Sequence, residues 1–161
     1  GESTPPRPGV PDWAAEAEKA LYQLPDGTLY QPASHLEGAL VKAAAVFKIA
    51  GRGKATYSKL IGSALEVKPD AIPHKYQKWE TDKRPVIVPS TKGRVVRYRP
   101  RLDEWELSFM LIVTEPQIPS EVVKLILERA GQYVGIGDWR PDKKGKFGKF
   151  MVTRFEERNE L

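Results

Sequence analysis

A chain of 161 residues with a net charge of +5 is long enough for one domain with a buried core and too short for two of ordinary size. Its lack of cysteine excludes disulfide frameworks, thiolate zinc sites and cysteine nucleophiles, and no apolar run reaches the length of a membrane span. A sequence pI near 9.4 favours an anionic partner, nucleic acid ahead of a membrane surface because no basic amphipathic helix is present.

Gly1-Glu2-Ser3-Thr4 carries neither an initiator Met nor a signal-peptide core, which reads as an added remnant or an internal start; the lack of cysteine favours a cytoplasmic origin. Residues 1–11 hold Pro5, Pro6, Pro8 and Pro11 among small and polar residues. Such a composition buries too little apolar area to order itself and reads as a disordered tail or linker. Asp12 is placed to cap a short helix over 13–22, which the turn signal Leu24-Pro25-Asp26-Gly27 breaks. Thr28-Leu29-Tyr30 then reads as a stub of strand. Ser34, with Glu37 three residues on, has the capping-box pattern, and Leu36, Leu40, Val41, Ala44 and Phe47 recur behind it at helical spacing. Gly51-Arg52-Gly53-Lys54 ends this helix; a shorter helical segment follows over 56–64, then an extended stretch over 65–76 marked by Pro69 and Pro73.

Val86-Ile87-Val88 is a short buried-strand signature, and Thr91-Lys92-Gly93 offers a turn into a strand over 94–98. Period two is clearest over 105–114, where Trp105, Leu107, Phe109, Leu111 and Val113 alternate with Glu106, Ser108, Met110, Ile112 and Thr114. Pro119-Ser120-Glu121 starts a second helix running to Tyr133, with Val122, Leu125, Ile126, Arg129 and Ala130 as its core-facing stripe. A last strand alternates Phe150, Val152 and Arg154 with Met151, Thr153 and Phe155. Between that helix and strand lies a glycine-rich basic loop from Gly135 to Phe150, holding Trp139, Arg140, Lys143, Lys144 and Lys146 among its glycines. It reads either as a clamp on phosphate or as a solvated connection, because a glycine pattern alone is common to both.

The order helix, strand pair, helix, strand, preceded by one more strand, is βαββαβ. This predicts an α+β, ferredoxin-like (RRM-like) sandwich formed by residues 12–161 as a single domain. The first strand is central in that topology, so it is expected to be missing, displaced to the 22–30 region, or supplied by residues upstream or by another chain.

The element order and the loop resemble the RAMP superfamily of CRISPR-associated RNA-binding proteins, built on ferredoxin-like folds with a late loop of glycine, hydrophobe, glycine, basic spacer and further glycines. Gly135-Ile136-Gly137 supplies the first half of that signature. Lys144-Gly145-Lys146-Phe147-Gly148-Lys149-Phe150 supplies the second, with two residues between the final glycines where the family often has one. The chain is also similar to small phage and archaeal-virus proteins that share the loop. The resemblance implies sugar-phosphate contact by Gly135, Gly137, Gly145 and Gly148, with Lys143, Lys144 and Lys146 nearby.

Two other basic clusters join the loop as nucleic-acid-binding candidates. Arg52, Lys54 and Lys59 are interleaved with Tyr57, and glycines on both sides of Arg52 permit close backbone approach; the alternative is a charged helix-terminal loop that favours the dipole. Arg97 and Arg99 alternate along a strand, with Arg94 and Arg101 flanking, either to hold phosphate on a sheet face or to keep an edge strand soluble. Trp139 is the stacking candidate, with Arg140 beside it.

His35 and His74 are the only histidines. RAMP ribonucleases that cleave RNA through its 2′-hydroxyl use histidine with tyrosine or lysine, and His35 lies near Tyr30 and Lys42 in sequence. A first-turn helix histidine is also an ordinary surface residue, so no catalytic residue is assigned. His74 reads as a loop residue. No metal-ligand spacing, phosphate-binding P-loop or Gly-x-Ser-x-Gly elbow is present, so neither a metal nor a cofactor is expected. The reading is a binder of single-stranded nucleic acid, RNA ahead of DNA, acting as a homo-oligomer or within a multi-subunit ribonucleoprotein. Its alternatives are a metal-independent endoribonuclease and a non-enzymatic interaction component of a phage or CRISPR-like complex.

Overall fold

A computed structural model describes residues 21–87, 90, 94–137 and 148–158. The elements are β1 (Tyr30–Pro32), α1 (Ala33–Ala44), α2 (Ser58–Ala64), β2 (Leu65–Lys68), β3 (Ala71–Pro73), β4 (Glu80–Ile87), β5 (Arg94–Arg101), β6 (Met110–Val113), α3 (Ser120–Arg129) and a π-helical turn at Ala130–Val134. The fold is α+β, with strands paired in short two-stranded sheets. The chain forms two compact units. One comprises the described residues up to Gln31 with Pro73–Ser108, the other Pro32–Ile72 with the described residues from Phe109 onward.

In the first unit, Pro25-Asp26-Gly27 turns as the sequence predicts. The Gly27 N–H donates to the Leu24 carbonyl at 2.8 Å, and Gly27 takes φ 89°, a conformation glycine adopts without steric cost. Asp26 accepts the Thr28 N–H at 2.9 Å, and that bond holds its carboxyl below the ordinary range. Leu29 is buried, and the Gln77 side chain grips its backbone from both sides. Gln77 Oε1 accepts the Leu29 N–H at 2.6 Å, and Gln77 Nε2 donates to the Leu29 carbonyl at 3.1 Å. β4 and β5 run antiparallel in unbroken register from Glu80 opposite Arg101 to Ile87 opposite Arg94, so the ladder passes through Pro100. The predicted 91–93 turn lies outside the described residues, as does the 13–22 helix up to residue 20; Leu21 and Tyr22 are not helical.

Among the described residues, most of those that are buried and apolar belong to the second unit. α1 presents Ala33, Leu36, Ala39, Leu40, Ala43 and Ala44 inward; its alanines let the helix lie close against α2, β2 and α3. The helix starts at Ala33, one residue ahead of the predicted cap. Pro32 is the extended N-cap residue, and the Ala33 N–H donates to the Asp70 carbonyl at 2.8 Å. Ser34 is already helical, so it cannot hold the non-helical backbone that an N-cap requires. α1 also stops at Ala44 rather than at 51–54, leaving Phe47 outside it.

β2 and β6 pair antiparallel, Leu65 opposite Val113 and Val67 opposite Leu111. The alternating run predicted over 105–114 forms a ladder only at its C-terminal end, Met110–Val113, because its partner β2 offers only the four residues Leu65–Lys68. On α3 the inward stripe is Val123, Ile126 and Leu127, continued by Ala130 and Val134. The predicted stripe shared Ile126 and Ala130 but sat one residue early elsewhere; Leu125 is 49% exposed. Both frames fit a 3.6-residue period, and the observed one keeps the Arg129 guanidinium out of the core, over the Tyr133 ring at 4.5 Å. Residues 148–158 carry no ladder among the described residues. Phe150 and Val152 are nonetheless more buried than Met151, which is 85% exposed.

Candidate functional site

The glycine-rich loop begins where α3 ends. The π-turn closes with the Gly135 N–H donating to the Ala130 carbonyl at 2.7 Å, and Gly135 at φ 72° turns the chain away. Ile136 is buried. Its N–H donates to the Gly148 carbonyl at 3.2 Å, and the Phe150 N–H donates to the Gly131 carbonyl at 3.0 Å. The two arms of the loop therefore meet at its base. A Cβ at Gly148 would sit inside the Ile136 carbonyl, and one at Gly131 would strike the Phe150 carbonyl and ring. These glycines allow close backbone approach, and what they approach is the chain itself. Gly137 is different: it takes φ 89° with open space where a Cβ would be.

Of the predicted loop residues, Gly135, Gly137 and Gly148 are described. Trp139, Arg140, Lys143, Lys144, Gly145 and Lys146 lie outside the described residues.

Arg52 and Lys54 belong to the same unit and are exposed. They occupy a tight hairpin in which Lys48 bridges Thr56, with Gly51 at φ 77° and Gly53 at φ 60°. Arg52 Nη2 donates to Gln117 Oε1 at 2.6 Å. Gln117 carried no sequence signal beyond its place in the Glu115-Pro116-Gln117 turn ahead of α3. Gly131 was missed as well; its only signal was a glycine inside a helical pattern.

Arg97 and Arg99 lie in the other unit, on β5, opposite Arg84 and Asp82 respectively. Arg101 closes that ladder and is neutralised, 3.1 Å from Glu80 and 2.8 Å from Asp103. Lys75 meets Glu106 at 2.7 Å and Lys68 meets Asp70 at 2.9 Å and Glu66 at 3.4 Å. The hydrogen bonds that both lysines donate to these carboxylates raise them above their ordinary pKa.

His35 is the third residue of α1 and half-buried. His74 donates its backbone N–H to the Leu29 carbonyl at 2.9 Å; its ring is half-buried, and burial pushes its pKa down. The His74 Nδ1 atom has no hydrogen-bond partner among the described residues. Among those residues no group of His, Asp or Glu could hold a metal ion, and no helix is long and apolar enough to cross a membrane. No family model, curated protein or solved structure matches the chain.

Proposed function

We propose that this chain binds single-stranded nucleic acid through the sugar-phosphate backbone, RNA ahead of DNA. The 135–150 loop is the main clamp, Arg52 and Lys54 a second contact, and Arg97 and Arg99 a third. The observation that carries this reading is the pinned base of the loop, where Ile136 bonds Gly148 and Phe150 bonds Gly131. Both ends of a stretch holding Arg140, Lys143, Lys144 and Lys146 start from one fixed point, and a loop held at its ends has less freedom to lose on binding. Its cations displace counterions from phosphate, and Trp139 offers a ring for a base to stack on.

The scaffold proposed with it is ferredoxin-like. What supports it is that α1 precedes and α3 follows the paired strands β2 and β6, and that α1 touches β2 and α3; α2, between α1 and β2, is an addition to that order. On this reading residues 69–109 are an insertion between the paired strands, 150–155 take the last strand position, and the first strand is displaced or comes from another chain. The protein is then a non-enzymatic binder of the RAMP kind, one part of an oligomer or ribonucleoprotein.

Fluorescence anisotropy with labelled single-stranded RNA, single-stranded DNA and duplex, at two salt concentrations, tests this against a Lys143/Lys144/Lys146→Ala variant. Tight single-strand binding that weakens with salt and is lost in the variant is the expected result. Defined RNA fragments that His35→Ala abolishes would replace the binder with a metal-independent endoribonuclease. A folded sample that binds nothing at low salt would discard both and leave an interaction protein whose basic loop docks an acidic partner.

A further inference from the structure

Arg52 is fixed from two directions. Its backbone sits at a hairpin tip: the Ile49 N–H donates to the Ala55 carbonyl at 2.9 Å, the Arg52 N–H to the Ile49 carbonyl at 3.2 Å, and the Ala55 N–H to the Arg52 carbonyl at 3.1 Å. Its guanidinium is tied to Gln117 at 2.6 Å, and the Gln117 backbone N–H is itself held by Glu115 Oε1 at 3.0 Å. An exposed arginine ordinarily loses much rotamer freedom when it meets a ligand; here part of that loss is already incurred in folding.

The nature of the partner decides what the site can do. A carboxylate would hold the guanidinium equally well and cancel its charge, as Glu80 and Asp103 do for Arg101. The Gln117 amide accepts one N–H bond and leaves the positive charge and the other donors of the fork for an anion.

We infer that Gln117 is a positioning residue, holding the Arg52 guanidinium with its charge intact for a phosphodiester of the bound strand. This rests on the nucleic-acid reading above. Glu115 contributes by orienting Gln117 through a backbone bond, and its carboxylate is engaged there.

The test compares Arg52→Ala, Gln117→Ala, Gln117→Glu and the Arg52→Ala/Gln117→Glu double variant in the full chain. Labelled oligouridylate and oligothymidylate are titrated across a salt series, with thermal unfolding recorded in parallel. Gln117→Glu keeps the guanidinium tied but neutralises it. It is expected to weaken binding about tenfold at low salt and to reduce the log–log salt slope by about 0.7, as Arg52→Ala does. Gln117→Ala leaves the charge in place on a mobile side chain, so it weakens binding about threefold with the slope retained. In the Arg52→Ala background, Gln117→Glu adds less than about twofold.

A wild-type chain that binds neither oligonucleotide sinks the nucleic-acid reading, and the inference with it. Wild-type binding with Gln117→Glu unchanged in affinity and slope overturns the inference alone. So does a full Gln117→Glu effect in the Arg52→Ala background, or a Gln117→Glu loss that tracks only a fall in the unfolding midpoint.

Discussion

The hairpin tip at 49–55 and the base of the 135–150 loop look alike in sequence, each a basic stretch punctuated by glycine, yet the glycines do opposite things. At the loop base Gly131 and Gly148 let two backbone segments touch, with no space for a Cβ. At the tip Gly51 and Gly53 take positive φ with nothing within 4 Å of where a Cβ would be. The first pair closes the chain upon itself; the second pair only lets it turn. A glycine in a basic loop is therefore not a ligand signal by itself, and what separates the cases is the neighbouring backbone.

The contrast breaks most readily at Gly148. Gly148→Ala combines φ 79° with a collision against the Ile136 carbonyl, and is expected to cost about 3 to 5 kcal/mol in urea unfolding. Gly131→Ala meets the Phe150 carbonyl and ring and is expected to fall in the same range, with the Phe150–Gly131 bond lost. Gly53→Ala, strained at φ 60° but unobstructed, is expected to cost only about 1 kcal/mol. If Gly148→Ala costs no more than Gly53→Ala, the two loops use glycine in the same way and the distinction fails.

The smallest expected effect sets the pH at which that comparison is made. Burial depresses the His74 pKa in the folded chain, so below about pH 6.5 the unfolded chain takes up a proton that the folded chain refuses. Stability is then full above that pH and declines as pH falls towards the depressed value. Urea midpoints followed from pH 8 to about 5 should show this decline, and His74→Gln should flatten it. A midpoint insensitive to pH in that range would show that the half-buried ring is solvated in both states.

Local pattern made the existence of α1, α3 and the strands β4 and β5 legible, because each is specified by residues close together in sequence. Frame and ends were less legible. Val123 and Leu127 compete with Val122 and Leu125 for the inward face of α3, and only the packing partner decides between them. Ser34 matches a capping box, but the helix is started by Asp70, which is far off in sequence. The alternation from Trp105 to Val113 is unbroken, yet only Met110–Val113 forms a ladder, since period two does not record how long the partner strand is. For the candidate site, Arg52 and the loop glycines could be named from sequence. The amide that holds Arg52 could not, because a glutamine in a turn carries no pattern.

The grip of Gln77 on Leu29 has a kinetic consequence. The two residues are 48 positions apart, and the intervening chain contains α1, α2 and β2. Helix formation and α1–α2 contacts are local and fast, whereas closing so long a loop must wait for the chain between to condense. In refolding followed by pulsed hydrogen exchange, the Leu29 amide should therefore gain protection after the amides of α1, and a variant without the Gln77 amide should refold α1 at an unchanged rate while leaving Leu29 open.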